Sequence, residues 1–349
     1  MILPQTHAAV LFLMILSLLC WGSWANSYKL AGKWRYEIYY FDFALGVVVA
    51  AFLYAWTVGN LGYDGFTFGD DLMHAGRRQW LYGAAAGVVF NLGNMILMAA
   101  VSVAGMAVAF PVGIGMAIIV GTGLAFAGGR SGSPALLFVG CLLIAAAAAA
   151  AALAHRFHAV LSHEKLARAG KAASTRRPSS IKGIVLALVS GLIMGSFFPL
   201  VEKAREGDLG FGPYAIAVVF AVGVFLSTLV FNVFLMNLPV EGEPLEIPEI
   251  FRSTAKQHLL GLAGGVVWCT GMVASLAATS APAEAHVGAV EGSLLAQGFP
   301  LIAALWGILV WRELKGADLR VKVLAVFMFL LFVCGLLLIA QAPLHVRAA

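Results

Sequence analysis

Charge is scarce in this chain. Only 11% of its 349 residues are Asp, Glu, Lys or Arg, against roughly 25% in an ordinary soluble domain. A soluble enzyme, a nucleic-acid binder and a disordered segment all need more polar surface than this, so all three are excluded. Cysteine is nearly absent. Cys20, Cys141, Cys269 and Cys334 each sit in an apolar run, and no two form a CxxC pair. That gives no support to a disulfide framework or a zinc site, and buried free thiols are expected. HExxH is missing. Gly170-Lys171 is not a P-loop, because the glycine five residues earlier and the following Ser or Thr are both lacking. His155, His158 and His163 fall in a polar central segment and His286 near the mouth of a span, so no catalytic pair or triad forms. Neither metal nor cofactor is expected, and the chain reads as no enzyme.

Apolar residues take the place of charge, at 61% with a mean hydropathy of +0.93. Such a chain needs lipid as its solvent, and a bilayer core takes about 20 apolar residues per helix. The pattern predicts an all-α polytopic membrane protein with ten transmembrane helices. They run over about 6–26, 38–59, 80–103, 105–127, 134–154, 182–201, 213–236, 257–279, 286–311 and 319–341. The first is read as a retained helix rather than a signal peptide, because Met1–Val10 holds no Lys or Arg. Phe68–Arg78 is polar on one side and suits a short interfacial helix. Glu241–Glu249, with three nearby prolines, reads as a solvated loop.

Ten spans return the C-terminus to the side of the N-terminus. Six of the 22 Lys and Arg residues then fall on that side and sixteen on the other. The positive-inside rule makes the richer side cytoplasmic and puts both termini outside, as in a bacterial-type inner membrane.

The halves resemble each other. Gly83, Gly87-Val88-Val89-Phe90 and Gly93 recur as Gly261, Gly265-Val266-Val267-Trp268 and Gly271, at one constant offset. Gly22-Ser23-Trp24 recurs as Gly195-Ser196-Phe197. Five spans per unit force the second unit upside down, so two inverted five-helix repeats are expected: 1–154 and 182–349, joined by a basic cytoplasmic linker, 155–181. Inverted repeats are a mark of secondary transporters with a midplane site. The glycine pairs Gly83/Gly87, Gly191/Gly195 and Gly261/Gly265, each spaced four apart, suit close helix packing.

The five-plus-five arrangement resembles the drug/metabolite transporter superfamily. Trp21-Gly22-Ser23-Trp24-Ala25-Asn26 with Lys29–Arg35, then Gly93-Asn94 and Pro111–Thr122, resemble the branch of glucose/ribose porters, L-rhamnose–proton symporters and ureide permeases. The resemblance implies proton-coupled uptake of a small polar metabolite, either a ureide such as allantoin or a nucleobase, or alternatively a sugar. No ATP role is implied. A monomer or homodimer, in the bilayer and without nucleic acid, is expected.

Polar side chains inside spans are costly and mark candidate sites. Glu291, about two turns inside span nine, is the expected proton-coupling carboxylate, with Glu284 and Glu202 as alternatives. Asn91 and Asn94 share a face and suit sugar hydroxyls or ureide groups, although bonding between helices fits them nearly as well. Trp21 and Trp268, with Asn26 and Thr270, complete the candidate substrate contacts, since an aromatic face stacks on a planar heterocycle or a pyranose. A channel is disfavoured because the polar set is asymmetric rather than a repeated ring. An intramembrane enzyme is disfavoured because no reactive pair is present.

Overall fold

The computed structural model describes residues 1–129, 131–168 and 180–345, and among these it is all-helical. Nine of the described helices are long and apolar enough to cross a bilayer, and a bent pair makes a tenth span. The chain is a multi-pass membrane protein.

In chain order the helices are α1 (His7–Ser23), α2 (Asn26–Leu30), α3 (Tyr36–Trp56), α4 (Phe68–His74), α5 (Arg77–Ala104), α6 (Met106–Ala127), α7 (Pro134–Arg168), α8 (Ser180–Met194), α9 (Phe197–Arg205), α10 (Pro213–Asn237), α11 (Ala255–Thr279), α12 (Ala289–Gln297), α13 (Phe299–Leu305) and α14 (Leu319–Gln341). Their ends follow local chemistry. The Thr6 hydroxyl accepts from the Ala9 N–H and caps α1. Thr254 and Gln257 form a reciprocal capping box on α11. Pro213 opens α10, where its missing N–H costs nothing. Gly105, at φ 82°, separates α5 from α6 in a conformation other residues avoid.

The chain folds into two compact units, and each draws on both halves of the sequence. Unit one holds Met1–Met95 and Ser196–Phe299, and unit two holds Ile96–Gly195 and the chain from Pro300. Within unit one, α11 packs on α1 and α3, and α3 packs on α10. Glycines permit the approach. A methyl group on Gly46 would strike the Leu262 backbone, one on Gly265 the Phe43 carbonyl, and one on Gly87 the Phe220 carbonyl. Within unit two, α7 packs on α14 and α6 on α8. There Gly140 meets Gly335, and Gly191 meets the Gly113 carbonyl. All three spaced glycine pairs read from the sequence thus lie against a neighbouring helix.

Several boundaries differ from the sequence reading, each for a physical reason. The apolar run of span five ends near Ala154, yet α7 continues to Arg168, because His155–Arg168 contains no Pro or Gly to stop it. The first stretch of the expected linker is therefore helical, while Gly170, Lys171 and the rest of 169–179 lie outside the described residues. Span nine is broken: α12 and the helix after it bend by 43° at Gly298, just before Pro300. It also starts late. A short 3₁₀ turn at Ala283–Ala285 and extended backbone at His286 and Gly288 delay the helix until Ala289. The expected interfacial helix is α4, which ends at His74. The cysteines are free, but only Cys269 is fully buried; Cys20 and Cys141 are half-buried and Cys334 is exposed.

Candidate functional site

Every side chain nominated from the sequence belongs to unit one. Its middle is an aromatic cluster built from α1, α5, α9, α10 and α11. The Trp268 ring lies 4.4 Å from Phe90 and 5.9 Å from Phe220, the latter nearly parallel at 13°. Phe197 on α9 closes on Phe90 at 5.3 Å. Trp21 joins from α1, 6.5 Å from Trp268 and 5.5 Å edge-on to Phe299. Trp24 packs on Phe43 at 4.8 Å. Each such pair adds about 0.5–1.5 kcal/mol beyond simple burial.

One polar valence in this cluster is unspent. The Trp21 Nε1–H is buried without a hydrogen-bond partner. It lies along Gly271 of α11, where a methyl group would come within 3.0 Å of the nitrogen. An unsatisfied buried donor costs about 1–3 kcal/mol, so this N–H is primed to bond any acceptor that reaches it.

The two asparagines are also buried, and the structure engages both between helices. The Asn91 amide donates to Ser227 Oγ at 2.8 Å and to Thr228 Oγ1 at 3.0 Å, pinning α5 to α10. Asn94 Nδ2 donates to the Tyr40 hydroxyl at 3.0 Å. Asn26 starts α2, just past the interruption of the first span at Trp24-Ala25, and its amide donates back to the Ser23 carbonyl at 2.8 Å. The Thr270 hydroxyl donates to the Val266 carbonyl at 2.8 Å and pairs with Tyr54 at 2.9 Å. It lines a cavity of about 300 Å³ with Phe12, Leu16, Tyr54 and Val273. That cavity is walled almost wholly by apolar groups, so it offers a polar solute little.

Glu291 lies in the first turn of α12 rather than two turns inside a span, and it is exposed. A carboxylate there is favoured by the helix dipole. Glu284 is exposed in the 3₁₀ turn that precedes α12, and Glu202 is half-buried on α9.

Sequence reasoning missed one feature. Asp42 on α3 and His258 on α11 meet at 2.7 Å, Oδ2 to Nδ1. The Trp34 ring stands edge-on to the imidazole at 5.8 Å. The signal was the glycine one turn beyond the histidine: a methyl group on Gly261 would strike the Asp42 side chain, so α3 and α11 approach closely at this level.

The sequence pattern of the family described as Ureide permease matches residues 39–184. The chain is 24% identical to Ureide permease 4 of Arabidopsis thaliana over 422 aligned positions, covering 99% of this chain and 100% of that protein. It is 22% identical to Ureide permease 1 of the same plant over 405 positions, with the same coverage. A solved crystal structure, 15% identical, matches it with a TM-score of 0.54 over 94% of this chain and 96% of that one. The last likeness concerns the fold.

Proposed function

We propose that this protein is a secondary transporter that carries a ureide such as allantoin, or a nucleobase, by proton-coupled uptake. The observation that carries the reading is the partnerless Trp21 N–H inside a cluster of aromatic rings. A planar ureide or nucleobase offers a flat face for stacking and a carbonyl to accept that N–H. The full-length similarity to two ureide permeases supports this substrate class over a sugar.

In this reading Trp21 and Trp268 are the substrate platform. Asn26 flanks it at the interruption of the first span. Asn91, Asn94 and Thr270 act at one remove, because their amides and hydroxyl already hold neighbouring groups. They keep α5, α10, α3 and α11 in register around the rings.

Glu291 is the coupling carboxylate of this reading. Loading a proton neutralises it, which lowers the cost of moving the start of α12 into a drier setting. Glu291→Gln imitates the loaded state. It should abolish accumulation driven by a proton gradient while leaving substrate exchange intact. If the variant still concentrates substrate, Glu284 or Glu202 carries the proton instead.

In this reading both termini lie outside the membrane, which the Lys and Arg distribution supports. A cysteine introduced at Glu243, in a background lacking the native cysteines, should resist impermeant labels in intact cells. Strong labelling there would reverse the orientation.

A further inference from the structure

The Asp42–His258 pair has a geometry beyond helix packing. His258 meets the carboxylate through Nδ1. With Asp42 ionised the carboxylate only accepts, so Nδ1 of a neutral ring carries the proton and Nε2 keeps its lone pair. The two side chains differ in access: Asp42 is 15% exposed and His258 31%. The carboxylate is thus largely sheltered, while the ring it orients is partly exposed. From His258 to the end of α11 at Thr279 is roughly 32 Å at 1.5 Å per residue. Glu291 follows that end, so the pair and Glu291 mark opposite ends of unit one.

We propose that Asp42 and His258 form a second proton-binding site of this protein, at the end of unit one opposite Glu291. His258 Nε2 takes one proton from hydronium in the aqueous phase and leaves water behind. The pair passes from a carboxylate with a neutral imidazole to a carboxylate with an imidazolium, so its net charge changes from −1 to 0. The same proton leaves by the reverse step. Loading turns a neutral-donor hydrogen bond into a charge-assisted one, which tightens α3 on α11 at the level of Gly261. Because α11 also carries Trp268, proton occupancy biases the helix that supports the aromatic cluster.

The surrounding titratable groups leave this assignment intact. Tyr39, buried on α3, bonds the Ser27 hydroxyl. On the same helix Arg35 is held by Glu37 at 2.7 Å. Tyr28 and Lys29 stand on α2, Lys33 lies in the following loop, and Lys256 is exposed at the start of α11. Apart from Glu37, which is bonded to Arg35, these side chains are phenols or bases, and among the described residues Asp42 is the carboxylate bonded to the imidazole.

Trp34 supplies a reporter that needs no substrate, because a protonated imidazole against an indole quenches its fluorescence. The emission of the detergent-solubilised full chain should change as the pH is lowered, and Trp34→Phe should remove that component. His258→Asn keeps a donor at the place of Nδ1 but cannot titrate, so the transition should vanish while the helix contact remains. Asp42→Asn should move the midpoint of that transition, since the carboxylate facing the ring is gone. An unchanged transition in His258→Asn, or an unmoved midpoint in Asp42→Asn, overturns the proposal. The consequence for transport rests on the transporter reading and is measured apart. In proteoliposomes, allantoin exchange at equal pH on both sides should lose its pH dependence in His258→Asn. If wild-type protein shows the fluorescence transition but does not exchange allantoin, the substrate reading fails and the proton site stands.

Discussion

Trp21→Phe separates a substrate contact from a packing contact. The change removes the Nε1–H, which is buried without a partner, and so relieves a penalty of about 1–3 kcal/mol in the empty protein. It also removes part of the indole. On the order of 40 Å² of apolar surface is lost, worth about 1 kcal/mol at ~25 cal/mol per Å². Phenylalanine keeps a ring face toward Trp268 and Phe299. The two effects nearly offset, so Tm in detergent should move by less than about 4 °C. Binding should respond otherwise. A ligand acceptor that satisfies the orphan donor recovers about 1–3 kcal/mol, so its loss should raise Kd about fivefold or more. The assay is the thermal shift as a function of allantoin concentration, which reads Kd through mass action. If Kd is unchanged and Tm falls by more than about 4 °C, Trp21 is a packing residue and the reasoning is refuted.

Three further outcomes are expected. Burial holds the Asp71 carboxyl up at about 6 against an ordinary 3.8, although the Gly212 N–H donates to it. The folded state thus keeps a proton that the unfolded chain releases. This group's stabilisation is complete below about pH 4 and is lost as pH rises through about 6, by roughly 3 kcal/mol at most. Melting in detergent across that window should show the loss, and Asp71→Asn should flatten it; an equal slope in the variant would refute the assignment. Gly87→Val should destabilise by about 3 kcal/mol or more, because its side chain would enter the Phe220 carbonyl; a Tm within 2 °C of the parent would show that α5 and α10 do not pack here. Asn91→Ala should cost about 1 kcal/mol through its lost bonds to Ser227 and Thr228. It should leave the allantoin Kd within about twofold, and a tenfold loss would return Asn91 to the substrate.

The spans were legible because apolar runs of about 20 residues leave few alternatives in a chain with so little charge. Glycines spaced four apart marked the contact faces correctly, since only a missing side chain lets two helix backbones meet. Trp21 and Trp268 stand well inside their apolar runs, and their rings do share a cluster. What stayed hidden depends on tertiary neighbours. Asn91 could have faced a solute or a helix, and only the position of α10 decides between them. Glu291 was set too deep because extended backbone at Gly288 follows the turn after Pro282 and starts α12 late. Asp42 and His258 lie 216 positions apart, and no local pattern joins an acid near one helix start to a histidine near another.

Uptake of labelled allantoin into proteoliposomes, with and without an inward proton gradient, tests the central claim most directly. The account predicts saturable uptake that the acid-outside gradient drives above equilibrium, that unlabelled uracil or allantoin competes away, and that glucose leaves untouched. Competition by glucose alone, or flux that neither saturates nor responds to the gradient, would contradict it.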